Sequence, residues 1–248
     1  MDWLLAVLLL AISLPGILTM VKVEPKLIKE VGGEEYPLSA RLLSHLLLVV
    51  PSVLIGTWLY KDAGFSAPLL SDLDGMTFFI SIVCAGIHLV YYYGYLVKNT
   101  EEHVIEKIDS VRRSIGLDTR VLYGGIVEEL IFRWGLMSFL VWGVNTWFRV
   151  NDSDLVYWFA IIVSSLLFAL IHLPGAKQTV NKLTPVLLTY VIGANVFIGI
   201  CCGWLFWKSG FLSAIICHML FHIIWFGFEK TKWARAQKEA YVTSSRKE

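Results

Sequence analysis

The chain divides into apolar runs of about 18 residues or more, separated by short polar stretches, which is the pattern of successive membrane spans. Six runs contain no Asp, Glu, Lys or Arg: Trp3–Val21, Leu42–Tyr60, Gly75–Val97, Leu155–Ala176, Leu183–Trp207 and Ser209–Phe228. A seventh, Val121–Phe148, is apolar except for Glu128, Glu129 and Arg133. Pro15, Pro51, Gly86, Gly193 and Gly199 fall inside these runs, where neighbouring helices can re-satisfy the backbone. Between the third and fourth runs, Val104, Ile105, Ile108, Val111 and Ile115 recur at helical spacing with charges between them. That pattern predicts an amphipathic helix at the membrane interface, capped by Asn99 or Thr100. The expected fold is all-α: a polytopic membrane helix bundle of about seven transmembrane helices plus one cytoplasmic interfacial helix. It is read as a single membrane domain over 1–248, with N-terminal spans in 1–100, a core in 120–228 and a polar tail in 230–248.

Composition agrees with this pattern. Of the 248 residues 56% are hydrophobic and 17% charged, against about 45–50% and 25% in soluble domains. The loop counts of Lys and Arg run 4, 1, 5, 1, 2, 1 and 6 from the 22–41 segment to the tail. Under the positive-inside rule this alternation puts the N-terminus outside and the C-terminus in the cytoplasm. The first run lacks a basic n-region and is long for a signal peptide, so it is read as a span. A net charge of +1 gives no footprint for nucleic acid. Cys84, Cys201, Cys202 and Cys217 all lie in apolar runs and read as small buried residues rather than as a disulfide framework or a zinc knuckle. Short loops and compact length point to a bacterial inner membrane. The oligomeric state is not fixed by the sequence.

Ionisable groups inside spans are costly, about 2.5–3.5 kcal/mol each on insertion scales, and mark function by default. In "GGIVEELIFRWG", Glu129 and Arg133 are i and i+4 on one helical face, with Glu first, the better order for a pair. Glu128 is turned about 100° away with no partner in its own helix. Spacing therefore assigns Glu129 and Arg133 to structural neutralisation and leaves Glu128 for chemistry, as a general base. "FALIH" sets Phe168 and His172 on one face of a later span, and "HMLFH" does the same for His218 and His222. Span ends place these groups at compatible depths. His45 and His88 stand alone in their runs and read as packing histidines.

Three motifs in order, Glu128-Glu129-x-x-x-Arg133, Phe168-x-x-x-His172 and His218-x-x-x-His222, resemble the CPBP family of CAAX proteases and bacteriocin-processing enzymes, also called Abi, over residues 120–228. The resemblance implies an intramembrane endopeptidase acting on a membrane-associated, prenylated or peptide substrate within the lipid bilayer. It also implies roles: Glu128 activates water, His172 assists it, and His218 and His222 stabilise the oxyanion. The chain departs from the family pattern at His222, where Asn or Asp is usual. That departure favours two alternatives. One is a zinc-dependent protease with Glu128, His172, His218 and His222 as ligands, against the preferred metal-free reading with no cofactor. The other is a non-catalytic scaffold or bacteriocin-immunity protein on the same fold. A proton-coupled carrier lacks the expected inverted repeat.

Overall fold

In the computed structural model, residues 1–66, 73–149, 153–180 and 182–231 are described; from residue 232 on, the expected polar tail lies outside them. Every regular element among the described residues is a helix, and none is a strand. α1 is Trp3–Glu30, α2 Leu38–Leu59 and α3 Gly75–Tyr91, the last continuing through a π turn and a 3₁₀ turn to Asn99. α4 is Glu102–Thr119. A motif helix follows, π-helical over Arg120–Glu128 and Leu130–Met137, and passes into α5, Ser138–Phe148. α6 is Asp154–Thr179, α7 Pro185–Ser209 and α8 Phe211–Glu229.

Six of these helices are long and apolar enough to cross a membrane. The seventh expected span is the motif helix with α5, whose continuous course from Arg120 to Phe148 runs between the others. The protein is thus an integral multi-pass membrane bundle.

Local chemistry sets the ends. Asp2 caps α1 through the Leu5 amide at 3.1 Å, and Asp74 caps α3 through Thr77 at 2.8 Å, each satisfying an orphan donor of the first turn. Thr184 caps α7 ahead of Pro185 at the first helical position, where proline loses no hydrogen bond. Gly210, at φ +91°, is all that separates α7 from α8. Its left-handed backbone suits glycine and turns the chain straight back. Gly116, at φ +78°, likewise breaks the helical path and divides the interfacial segment from the motif helix.

Two boundaries differ from the sequence expectation. The first helix does not stop at Val21 but runs to Glu30, so Lys22, Lys26 and Lys29 sit on its final turns rather than in a loop. The 28-residue helix is about 42 Å long at 1.5 Å per residue, more than a roughly 30 Å hydrocarbon core requires. The cap of α4 is Glu101, without a side-chain bond, and not Asn99 or Thr100. The buried face of α4 is also more polar than its periodicity suggests. It includes Asp109 and Arg112, and Arg112 reaches Asp109 at 2.5 Å and Glu229 of α8 at 2.7 Å while stacking on Trp225 at 4.3 Å. A charge cluster, not an apolar stripe alone, moors the interfacial helix to the bundle.

The motif helix packs through glycines. A Cβ on Gly124 would lie 2.9 Å from His222 Nε2, and one on Gly125 would lie 2.4 Å from Met219, so α8 approaches along this edge. Gly16 of α1 meets the Leu122 carbonyl, and Gly135 meets Ser52 of α2. Gly56 of α2 sits against Trp134, where an added Cβ would come within 2.4 Å of both the ring and the Trp134 carbonyl oxygen. Overpacking a close backbone contact costs roughly 1–3 kcal/mol. Gly56→Ala is therefore expected to destabilise the protein by that amount, while Gly86→Ala, with nothing within 4 Å of its added Cβ, should leave stability unchanged. Unfolding midpoints in detergent check both.

Candidate active site

The two adjacent glutamates have opposite surroundings. Glu129 is fully buried and its Oε1 accepts from Arg133 Nη1 at 3.0 Å and from His218 Nδ1 at 2.8 Å. Arg133, also fully buried, donates its Nη2 to the Gly199 carbonyl of α7 at 3.0 Å and lies 5.1 Å from the Phe168 ring. One carboxylate thereby ties the motif helix to α8, and one guanidinium ties it to α7 and α6. Glu128 points elsewhere. Its carboxylate is partly open, 16% exposed, and its Oε1 and Oε2 lie 3.9 Å from His172 Nε2 and His218 Nε2. These separations are too long for direct hydrogen bonds and of a size that a bridging water fits.

The histidine partners define the ring protons. His172 Nδ1 donates to the Phe168 carbonyl four residues back, at 2.7 Å, which explains why Phe and His stand at i and i+4 in that motif. The Phe168 ring also packs on His172 at 4.6 Å and on Phe132 at 5.2 Å. His218 Nδ1 donates to Glu129. In both rings a neutral tautomer then leaves Nε2 as an acceptor facing Glu128. Three acceptors around one gap call for a shared donor between them.

Glu128, His172 and His218 therefore come together. His222 does so only indirectly. It stacks on His218, with ring centroids 5.0 Å apart, and its Nε2 faces Gly124 while its buried Nδ1 has no partner. All four residues line one cavity of about 930 Å³, which extends from Glu128 past Gly124 and Arg120 to Ile28 near the end of α1.

Two features were missed in the sequence. His45, read as a packing histidine with nothing ionisable nearby, bonds Tyr123 Oη at 2.8 Å through Nδ1 and Glu24 Oε1 at 2.9 Å through Nε2. The signal was Glu24 itself, an acid just past an apolar run, and Tyr123, five residues before Glu128 in a π-helical stretch. Cys202, read as a plain buried residue, has its sulfur near Glu129 and His218. Among the described residues these form the one set of three His, Cys, Asp or Glu whose ligand atoms all lie within 4.8 Å of one another.

That bears on zinc. Ligands at about 2.0–2.2 Å from zinc are themselves within roughly 3.5 Å of each other. The Glu128–His172 and Glu128–His218 separations of 3.9 Å are wider, and His222 turns to Gly124. Those four residues do not fit a zinc ion as they stand. In the Glu129, Cys202 and His218 set, Glu129 Oε1 and His218 Nδ1 are already spent on each other.

The fold and site together define a multi-pass membrane bundle with a carboxylate–histidine centre among its helices. Residues 117–224 match the family described as type II CAAX prenyl endopeptidase Rce1-like, which bears out the resemblance drawn from the three motifs. The match begins just after the Gly116 break, contains every motif residue, and supports a CAAX-type intramembrane endopeptidase as the general class. No curated protein and no solved structure matches the chain.

Removing one member of a buried ion pair strands the other and costs about 3–5 kcal/mol. Arg133→Met and Glu129→Gln should therefore lower the unfolding free energy in detergent by that order. Glu128→Gln, at a partly open group with no hydrogen bond, should change it by less than about 0.5 kcal/mol.

Proposed function

We propose that the protein is an intramembrane endopeptidase in which Glu128 activates the attacking water without a metal. The observation that carries this reading is the contrast within the Glu128–Glu129 pair. Glu129 is sealed and doubly hydrogen bonded, whereas Glu128 is unbonded, faces two histidine Nε2 atoms at 3.9 Å and lines the cavity.

A water in that gap donates one proton to Glu128 and the other to His172 Nε2, whose Nδ1–H is held by the Phe168 carbonyl. Glu128 takes the proton as the water oxygen attacks the scissile carbonyl carbon, and returns it to the leaving nitrogen as the C–N bond breaks. The oxyanion needs donors. His218 Nε2, an acceptor in the neutral ring, becomes one donor only when that ring takes up a proton, with Nδ1–H kept on Glu129. His222 supplies a second through Nε2–H, which fills the space beside Gly124 on the cavity wall. By the alternation of loop charges, the open end of the cavity faces the cytoplasm of a bacterial inner membrane, and the substrate is a membrane-associated, prenylated or other peptide chain.

Glu128→Gln should reduce cleavage of a prenylated CAAX peptide by about 10²–10⁴-fold, the range for loss of a general base, with stability retained. Undiminished cleavage would refute the peptidase role for Glu128. Elemental analysis of active, chelator-free protein should give well under one zinc per chain. One zinc per chain that disappears in Glu128→Gln would replace this mechanism with a metalloprotease.

A further inference from the structure

The mechanism uses His172, His218 and His222 and leaves a hydrogen-bonded histidine behind the cavity wall. His45 is 8% exposed and does not line the cavity, but both of its partners do. Its ring meets Glu24 of α1 through Nε2 at 2.9 Å and Tyr123 of the motif helix through Nδ1 at 2.8 Å. An ionised carboxylate only accepts, so Nε2 carries the ring hydrogen and donates it to Glu24. In the neutral ring Nδ1 then accepts from the Tyr123 hydroxyl. A hydroxyl, an imidazole and a carboxylate joined in this order let the hydroxyl pass its proton to a ring held in one tautomer.

The histidines near the cavity differ in what would face an imidazolium. His172 Nδ1 meets a backbone carbonyl, and His88 Nε2 meets the Tyr190 hydroxyl at 3.4 Å. His218 Nδ1 meets Glu129, whose charge Arg133 already offsets, and the buried Nδ1 of His222 has no partner. His45 faces a carboxylate of its own. Among the described residues Glu24 forms no ion pair except with His45, and its buried Oε2 accepts no hydrogen bond. Arg41, one turn before His45, donates to the Tyr36 and Val21 carbonyls instead. A proton resting on His45 is therefore neutralised where it sits, as a buried charge requires.

Tyr123 connects this pair to Glu128. Bonds of a π-helix join residues five apart, which is the Tyr123–Glu128 spacing, so the two side chains stand one widened turn apart on one face. Their separation along the axis is at most about 7.5 Å at the α-helical rise. Both line the cavity, and the charge of Glu128 acts on the phenol more strongly than that of Glu24. Bridging water spans such a gap. Hydrolysis supplies a proton for this route. The attacking water gives one hydrogen to the leaving nitrogen through Glu128 and keeps the other on the new carboxyl group. That group then lies beside the Glu128 carboxylate, and two carboxyl groups sharing a site hold one proton between them. The shared proton ties the product to the enzyme.

We propose that Tyr123, His45 and Glu24 form a relay that takes this proton and so releases the product. The carboxyl O–H bond of the product breaks as a cavity water passes a proton to Tyr123 Oη. The original Tyr123 O–H bond breaks as its hydrogen forms the Nδ1–H bond of His45, and Nε2–H stays on Glu24. Two carboxylates are left facing each other, and their repulsion expels the product. Return of the proton through Tyr123 to bulk water, once the cavity refills, resets the relay. This rests on the peptidase reading, which supplies the carboxyl group.

The test compares the first turnover with steady-state turnover of a prenylated CAAX peptide by the full-length protein in nanodiscs. Tyr123→Phe keeps the ring that packs edge-on against His45 and removes the hydroxyl. It should slow steady-state turnover by roughly 10²-fold, the lower end for a lost proton-transfer group, and slow the first turnover far less, so that cleaved peptide accumulates on the enzyme as a burst. His45→Gln should give the same split, and the double variant should be no slower than the slower single variant, as for residues acting in one chain. Equal slowing of both phases marks a structural role and overturns the relay, as does no slowing of either. Absence of cleavage by the wild type refutes the peptidase reading and removes the proton that the relay would carry; cleavage without the split refutes the relay alone. A second measurement needs no cleavage. In ¹⁵N spectra of histidine-labelled protein, at a pH high enough to leave the ring neutral, the His45 signal is identified by its loss in His45→Gln. It should show hydrogen on Nε2 and none on Nδ1, and Tyr123→Phe should shift Nδ1 as its hydrogen bond is lost. Hydrogen on Nδ1 overturns the relay whether or not peptide is cut.

Discussion

Everything at the centre of this bundle depends on how Glu129 and Arg133 are neutralised. Each is fully buried, and an isolated charge there would cost several kcal/mol. They meet at 3.0 Å on one helix, but the pair alone would leave most of its hydrogen-bonding capacity unsatisfied. His218 from α8 and the Gly199 carbonyl from α7 take part of the remainder. Three helices are thereby fixed in rotation and height by a few polar bonds, in a medium where apolar packing discriminates weakly between helix faces. The same bonds orient the site, since His218 can turn Nε2 toward Glu128 only because Nδ1 is anchored on Glu129. Packing and the geometry of the candidate site share a residue, which is why adjacent carboxylates of one sequence motif have such different surroundings.

Helix geometry makes that difference possible. In an α-helix, successive side chains are about 100° apart, enough to part Glu128 from Glu129 but not to open a face between α1 and α8. The motif helix is π-helical on both sides of Glu129, and such widened turns occur preferentially at functional sites. Glycine does the rest. Gly124 and Gly125 bring α8 close enough for both of its histidines to reach the motif helix, and Gly199 lets α6 approach α7 until an added Cβ would lie 2.7 Å from Ser165. Close approach at these points and a cavity beside them are two results of one distribution of small residues.

Much of this was legible in the chain. Apolar run length set the spans, because every backbone group in lipid must be bonded within its own segment. The i, i+4 spacing separated the paired glutamate from the free one. What escaped notice lay outside those two rules. His45 joins Tyr123 and Glu24 across three helices, a tertiary contact with no local periodicity. α1 runs on to Glu30 because a helix may leave the hydrocarbon without ending, so a count of apolar residues marks the membrane boundary and not the helix boundary. Asp109 and Arg112 appeared as solvated charges on an amphipathic helix. They are buried because α8 presents Glu229 and Trp225 to that same face, which no pattern within α4 could reveal.

His222 is where sequence and structure inform each other most closely. An imidazole is bulkier than the Asn or Asp usual at that place in the family the motifs resemble, and a larger ring in a packed interior normally forces its neighbours apart. Here Nε2 occupies the space a Cβ on residue 124 would need, 2.9 Å away, and the ring lies nearly parallel to His218, at 26°. Gly124 and His222 thus fit as a pair, and the ring enters without displacing His218 from Glu129. The exchange alters the direction of the polar group more than its presence. An amide or carboxyl ends in two heteroatoms close to the backbone, whereas the imidazole carries Nε2 farther out along the cavity wall and leaves Nδ1 buried behind it. A polar group so placed lies against Gly124, on the side of the cavity where the motif helix has no side chain.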